Sequence, residues 1–322
     1  MKTVLLPEPI PSEGRRLLEG RVRIVETPDH TPVTLKKFIR DVHGVILRTG
    51  ARITAEMIAE APYLQVIART GVGVDNVDVK AATERGIYVC HVPDANVVSV
   101  AEHVMTLLLA LSKQLKILDV ESRRGNFAAR YQYITTELSG KTLGIIGLGK
   151  IGREVAERTR RGLGMKVLVF DPYVGAQEAR RIGAEPFDSL REMLSQSDAV
   201  TLHVPLVSGT RKMIGHKELT LMKNTAYLVN LARGELVDEE ALFEFLEQNR
   251  IAGAAVDVFA VEPPQSSPLL TLNNVLATPH IAAYTYESME RMDRVCAQTI
   301  IDTMQGKPCP NILNPEVSGK HT

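Results

Sequence analysis

The stretch GIIGLGKIGREVAERTR occupies residues 144–160. Its glycines Gly147, Gly149 and Gly152 stand at G-x-G-x-x-G spacing between a short apolar run and a helix-like segment. A turn of this kind uses one glycine for a tight bend and one to let a pyrophosphate approach the backbone. The third permits close helix–strand packing. The helix pattern REVAERTR, which follows the turn directly, offers unpaired N–H groups and a partial positive charge to an anion, and Lys150 and Ile151 within the turn are candidates for cofactor contact. A bare glycine pattern is weak evidence, but its context strengthens it. The next apolar run, KVLVF, ends at Asp171, 19 residues beyond Gly152. An acidic residue there can hydrogen-bond the adenosine ribose hydroxyls, and its charge repels a 2′-phosphate. The motif therefore predicts an NAD site rather than an NADP site.

Strand-like and helical segments alternate on both sides of this motif. Upstream, residues 4–6, 22–25, 44–47, 64–68 and 87–90 read as strands, and 12–19, 34–40, 54–60 and 77–85 as helices. A longer helix is expected from Ser99, where Ser99 and Glu102 form a capping-box pattern. A second alternation gives six strands at 142–146, 166–170, 199–204, 226–231, 254–258 and 275–277. A last helix is expected over 286–304, ended by Gly306 and Pro308. Such alternation predicts an α/β fold with two doubly wound parallel sheets.

The composition fits that size and excludes other classes. The 322 residues exceed the usual single domain, and 44% hydrophobic residues suffice for two cores. Lys+Arg and Asp+Glu both number 38, so the basic excess of a nucleic-acid binder is missing. No apolar run is long enough to cross a membrane or to act as a signal peptide. The three cysteines, Cys90, Cys296 and Cys309, show no C-x-x-C spacing and suggest a reduced, cytoplasmic protein. No His, Cys and carboxylate grouping has metal-ligand spacing.

Three stretches lie just past expected strand ends of the second half, on the side where ligands bind an open α/β sheet. They are NLARG (230–234), DVFAVEPP (257–264) and TPHIAA (278–283). Arg233 could hold a substrate carboxylate with two hydrogen bonds. His280 could exchange a proton with the substrate oxygen, and Glu262 could hold the imidazolium.

Together these residues resemble the NAD-dependent D-2-hydroxyacid dehydrogenase family, and within it the phosphoglycerate dehydrogenases. The resemblance covers nearly the whole chain. It includes RTGVGVDNVDVKAATERGI (69–87) and PDANVVSVAEH (93–103) as well as the motifs above. It implies that Arg233, Glu262 and His280 form the catalytic set. It implies cofactor contacts at Val204, Pro205, Leu231, Ala232 and Val72, and a carboxamide contact at Asp257. His103 is a further candidate for cofactor contact. Backbone at Val72 and Gly73 is implied to meet the substrate carboxylate. The cofactor domain, Rossmann-like and spanning 100–286, is then inserted into a flavodoxin-like substrate domain of 1–99 and 287–322. The regulatory domain of longer relatives is not expected.

The substrate is less determined. Arg48 and Arg69 each end a first-half strand, and the resemblance associates that pair with a substrate phosphate. The first expectation is therefore 3-phosphoglycerate and its 2-oxo acid. A glyoxylate or hydroxypyruvate reductase is the alternative, and a non-enzymatic NAD(H) sensor a further one. The segment 99–140 carries more apolar positions than one helix face needs, so a homodimer is expected through it. His91 and Tyr284 have no assigned role.

Overall fold

The computed structural model describes residues 1–10 and 13–319. Ser12, the expected start of the first helix, and residues 320–322 lie outside the described residues. The chain forms two compact units, Met1–Asn96 with Tyr284–Thr322, and Val97–Ala283.

The first unit is built on β1 (Thr3–Leu6), β2 (Arg23–Glu26), β3 (Gly44–Leu47), β4 (Val66–Arg69) and β5 (Tyr88–Cys90). All pair in parallel, in the order β2-β1-β3-β4-β5, the flavodoxin-like arrangement. β3 and β4 read GVIL and VIAR and are buried along their whole length, as parallel strands covered on both faces must be. Thr31, Thr54 and Asp78 cap the helices that follow β2, β3 and β4, accepting from Thr34, Met57 and Ala81 amides. The helix Tyr286–Met304 belongs to this unit and is capped by Thr285. It passes so close to the helix Glu13–Leu18 that a Cβ on Gly14 would stand 2.6 Å from the Asp293 carbonyl carbon.

The chain then returns antiparallel beside β5, with a bridge between Cys90 and Ile312. Asn314 accepts from the Val89 amide and donates to the Ile87 carbonyl, both at 2.9 Å. Cys309 is disulfide-bonded to Cys90, which corrects the expectation of three reduced thiols. The partners are 219 residues apart, so no local spacing could reveal them. Cys296 is the free, buried thiol.

The second unit is built on β6 (Thr142–Ile146), β7 (Lys166–Phe170), β8 (Glu185–Pro186), β9 (Ala199–Leu202), β10 (Tyr227–Asn230), β11 (Gly253–Val256) and β12 (Val275–Ala277). The order is β12-β11-β10-β9-β6-β7-β8, parallel throughout. It has seven strands where the sequence suggested six. β8 has two residues, one a proline, and no periodicity of its own; only its pairing with Leu168 and Val169 makes it a strand. The helix expected from Ser99 runs Val97–Ser112, with Ser99 buried inside it. Burial of Val100, Ala101, Val104, Leu107 and Leu108 on one face carries the helix past the serine, so packing overrides capping preference. It breaks before Gln114, which adopts φ +50°, and a second helix covers Leu115–Arg123. Among the described residues no helix is long and apolar enough to cross a membrane.

Candidate active site

β6 has β7 on one side and β9 on the other, so the strand order reverses at its carboxyl end, where α/β sheets bind ligands. The glycine turn emerges there. Gly147 has φ +94°, and a Cβ on it would stand 2.8 Å from the His203 carbonyl and from Val204 Cγ1. A Cβ on Gly152 would stand 2.2 Å from the Gly147 oxygen. A Cβ on Gly149, which precedes the helix Lys150–Leu163, would meet nothing within 4 Å. Two glycines thus pack the turn and the third leaves its outer side open to an anion at a helix start. Asp171 accepts from the Leu148 amide at 2.7 Å and, through its other oxygen, from the Tyr173 amide at 2.9 Å. Each oxygen keeps a lone pair for a ribose hydroxyl. These residues fit an NAD pyrophosphate and adenosine ribose.

His203 follows β9, and its ring pairs with the Thr201 hydroxyl at 3.1 Å. Burial pushes this imidazole down to about 4, so it is neutral at pH 7. Beyond Val204, the Pro205 carbonyl accepts from Thr210 at 2.7 Å.

β10 delivers Leu231, Ala232 and Arg233. Buried Asn230 accepts from the Ala232 amide at 3.1 Å and donates to the Arg233 carbonyl at 2.8 Å. A Cβ on Gly234 would stand 1.9 Å from the Phe259 carbonyl carbon. The Arg233 turn is therefore pressed against the backbone that follows β11. Asn230 is a positioning residue that the sequence offered only as part of NLARG.

Glu262 is half-buried in the loop after β11. It accepts from the Phe259 amide at 3.1 Å and faces His280 Nδ1 at 2.9 Å. Burial alone would raise this carboxyl. The His280 hydrogen bond and charge, the Phe259 amide and the Arg233 charge together hold it below its ordinary value. His280 has φ +53°, an uncommon conformation for a non-glycine residue, and its amide donates to the Asp257 carbonyl at 2.8 Å.

Asp257 has no solvent exposure. It accepts from the Ile281 and Ala282 amides, both at 2.9 Å, and from the Thr278 hydroxyl at 2.5 Å. Asp257, for which the resemblance implies a carboxamide contact, thus also supports the His280 turn. His103 reaches the same support: its Nε2 lies 3.2 Å from the Thr278 hydroxyl and 3.9 Å from Asp257. These links are invisible in the sequence, which shows Asp257 and Thr278 only as members of DVFAVEPP and TPHIAA.

The first unit holds its own candidates. Arg48 is 4% exposed and binds both oxygens of fully buried Asp293 at 2.6 and 2.8 Å. It also donates to Met289 Sδ at 3.0 Å. The Arg48 charge, which the resemblance associates with a substrate phosphate, is thus also met by Asp293, 245 residues away. Arg69 is buried too; it bonds the Thr70 carbonyl and donates to Thr49 at 3.1 Å. A Cβ on Gly71 would stand 1.8 Å from the Arg69 guanidinium, and Gly71 has φ +133°. Exposed Val72 precedes Gly73, and its carbonyl is held by His91 Nδ1 at 2.9 Å.

Residues 105–282 match the model of the D-isomer specific 2-hydroxyacid dehydrogenase NAD binding domain. The chain belongs to that family. It is 40% identical over 314 residues to D-3-phosphoglycerate dehydrogenase of Methanocaldococcus jannaschii, covering 98% of this chain and 60% of that protein. It is 38% identical over 323 residues to glyoxylate reductase of Thermococcus kodakarensis, covering 98% of this chain and 96% of that protein. The chain thus spans about 60% of the length of the archaeal phosphoglycerate dehydrogenases it matches. Its structure is similar to that of D-lactate dehydrogenase from Aquifex aeolicus complexed with NAD and lactic acid. The TM-score is 0.87 at 28% identity, over 97% of this chain and 99% of that one. The glycine turn, Asp171, Arg233, Glu262 and His280 all lie within the matched NAD-binding region, and NAD is the cofactor that this region binds.

Proposed function

We propose that the chain catalyses reversible hydride transfer between NAD and a D-2-hydroxy acid/2-oxo acid pair. The 2.9 Å contact between Glu262 and His280, on the same unit as the open glycine turn, carries this reading. NAD supplies the hydride acceptor or donor when bound. His280 Nδ1 is engaged by Glu262, so Nε2 exchanges the proton with the substrate oxygen: it accepts in oxidation and donates in reduction. Arg233 grips the carboxylate and polarises the carbonyl. Glu262 stabilises the imidazolium, and Asp257, Thr278 and His103 hold the His280 turn. Val204, Pro205, Leu231 and Ala232 flank the cofactor. Residues 100–286 serve as the cofactor domain, and 1–99 with 287–322 as the substrate domain. A His280→Ala variant loses roughly 10²–10⁴-fold in turnover, followed by NADH absorbance, while still binding NADH. Near-normal turnover would overturn the assignment. NADH binding with no turnover on any 2-oxo acid would favour the sensor reading instead.

The choice of substrate turns on the first unit. A phosphate reading needs Arg48 and Arg69 as available cations, and Asp293 already meets Arg48. That pairing favours a glyoxylate or hydroxypyruvate reductase over a phosphoglycerate dehydrogenase. We also propose a homodimer through 99–140, where Leu115, Phe127, Tyr131 and Ile134 are exposed apolar side chains.

A further inference from the structure

We infer that His103 is a positioning residue: by donating a hydrogen bond to the Thr278 hydroxyl it steadies, through Asp257, the backbone turn that presents His280. This rests on the proposed proton exchange at His280 and deepens it. It names the group that keeps the exchanging imidazole in place and the proton which that group must carry.

All the residues involved lie in the unit Val97–Ala283. His103 stands on the helix Val97–Ser112, and Thr278 directly follows β12. The turn between Thr278 and Ala282 hangs on Asp257. Successive amides donate to that one residue: His280 to its carbonyl at 2.8 Å, then Ile281 to Oδ1 and Ala282 to Oδ2, both at 2.9 Å. His280 holds φ +53°, a conformation that a non-glycine residue keeps only where its surroundings impose it. Whatever fixes Asp257 therefore fixes the backbone at His280.

The direction of each hydrogen bond follows from the protons available. A threonine hydroxyl has one hydrogen to give and an oxygen that can accept. Thr278 Oγ1 lies 2.5 Å from Asp257 Oδ1, the distance of a charge-assisted bond from a hydroxyl to a carboxylate, so its hydrogen goes there. Toward His103 Nε2, 3.2 Å away, the same oxygen can then only accept, and Nε2 must carry a hydrogen. That donation polarises the hydroxyl and strengthens its bond to Asp257. An Nε2 without hydrogen would do the reverse. It would compete for the hydroxyl and take a donor from a carboxylate that has no solvent to replace it. The helix thus reaches the His280 turn through one proton-bearing nitrogen, on a residue 175 positions before Thr278.

The test uses His103→Leu, His103→Gln, Thr278→Val and the double variant His103→Leu with Thr278→Val. Glutamine can bring an amide N–H to where Nε2 donates; leucine has no donor. In His103→Leu, hydrogen exchange followed by mass spectrometry speeds up at the His280, Ile281 and Ala282 amides. With it, kcat for 2-oxo acid reduction falls about three- to tenfold, the scale of one hydrogen bond. KM for the 2-oxo acid and NADH binding by fluorescence stay at wild-type values, because neither Arg233 nor the glycine turn is touched. His103→Gln restores both the slow exchange and kcat. The double variant is no slower than Thr278→Val alone, since both substitutions cut the same path. Should His103→Leu fail to fold, His103→Asn takes its place, its amide being too short for Thr278. Unchanged exchange or unchanged kcat in His103→Leu, a glutamine variant as impaired as the leucine one, or additive losses in the double variant overturn the inference. If the wild type reduces no 2-oxo acid, the dehydrogenase reading falls, and hydrogen exchange alone decides the positioning role. Equal exchange in the wild type and His103→Leu would then overturn it.

Discussion

Acidification should weaken the floor of the NAD turn through one side chain, His203. Its backbone sets the close approach at Gly147, and its ring is held neutral by burial with Thr201 as partner. The ordinary imidazole value is 6.5, and the fold lowers it to about 4. An unfolded chain therefore takes up this proton below pH 6.5, whereas the folded chain refuses it until about pH 4. Stability is lost as the pH falls through that window and then levels off. At about 1.4 kcal/mol per tenfold change in proton affinity, the whole window is worth about 3 kcal/mol, with about 2 kcal/mol gone by pH 5. Urea unfolding followed by circular dichroism at intervals from pH 8 to pH 4.5 measures it. A His203→Gln variant should be less stable at neutral pH yet show a flatter decline on acidification. Parallel declines in the two proteins would refute the reasoning, because the pH dependence would then come from other groups.

The remaining predictions concern the proton-exchanging pair and the assembly. Glu262→Gln keeps the shape of the contact with His280 but removes its charge, and should lower kcat about tenfold, the scale of a charge-assisted hydrogen bond in a half-exposed pair. Because the fold holds the Glu262 carboxyl below its ordinary 4.5, its contribution to stability is complete above that pH. That contribution is lost as the pH falls through the lower folded value, so Glu262→Gln should show a shallower acid transition, with an unchanged one counting against the pair. Sedimentation should give a dimer of the 35.4 kDa chain, converted to monomer by charged residues at Leu115 and Ile134. A wild-type monomer would dispose of the interface.

Local pattern was enough to specify both sheets and the nucleotide turn. Strands such as GVIL and TLGII are short β-branched runs whose burial does not depend on which neighbour they meet. Two of the three motif glycines, Gly147 and Gly152, have a conformational or close-packing reason, and Gly149 has the open side that an anion needs. Asp171 sat at a readable distance because one crossover helix separates β6 from β7. Arg233, Glu262 and His280 could be picked out because each lies just past a strand end. Where sequence failed, the partner was remote or the element had no period of its own. β8 exists only as the edge partner of β7, and the Val97–Ser112 helix is lengthened by packing that a serine cap cannot predict.

The primary structure by itself therefore marked most of the segments that become strands and helices, where the NAD turn lies and which three side chains are proposed for the proton and carboxylate chemistry. Those choices depend on neighbours within about one βαβ unit. Tertiary structure alone decided the state of the remaining polar groups. It joined Arg48 to Asp293, Cys90 to Cys309, and Asp257 with His103 to the turn that holds His280. It also left Glu8 Oε2 buried without a partner. Charge compensation and hydrogen-bond satisfaction are properties of a place in space, and residues more than 200 positions apart acquire them only when the chain returns to the same sheet.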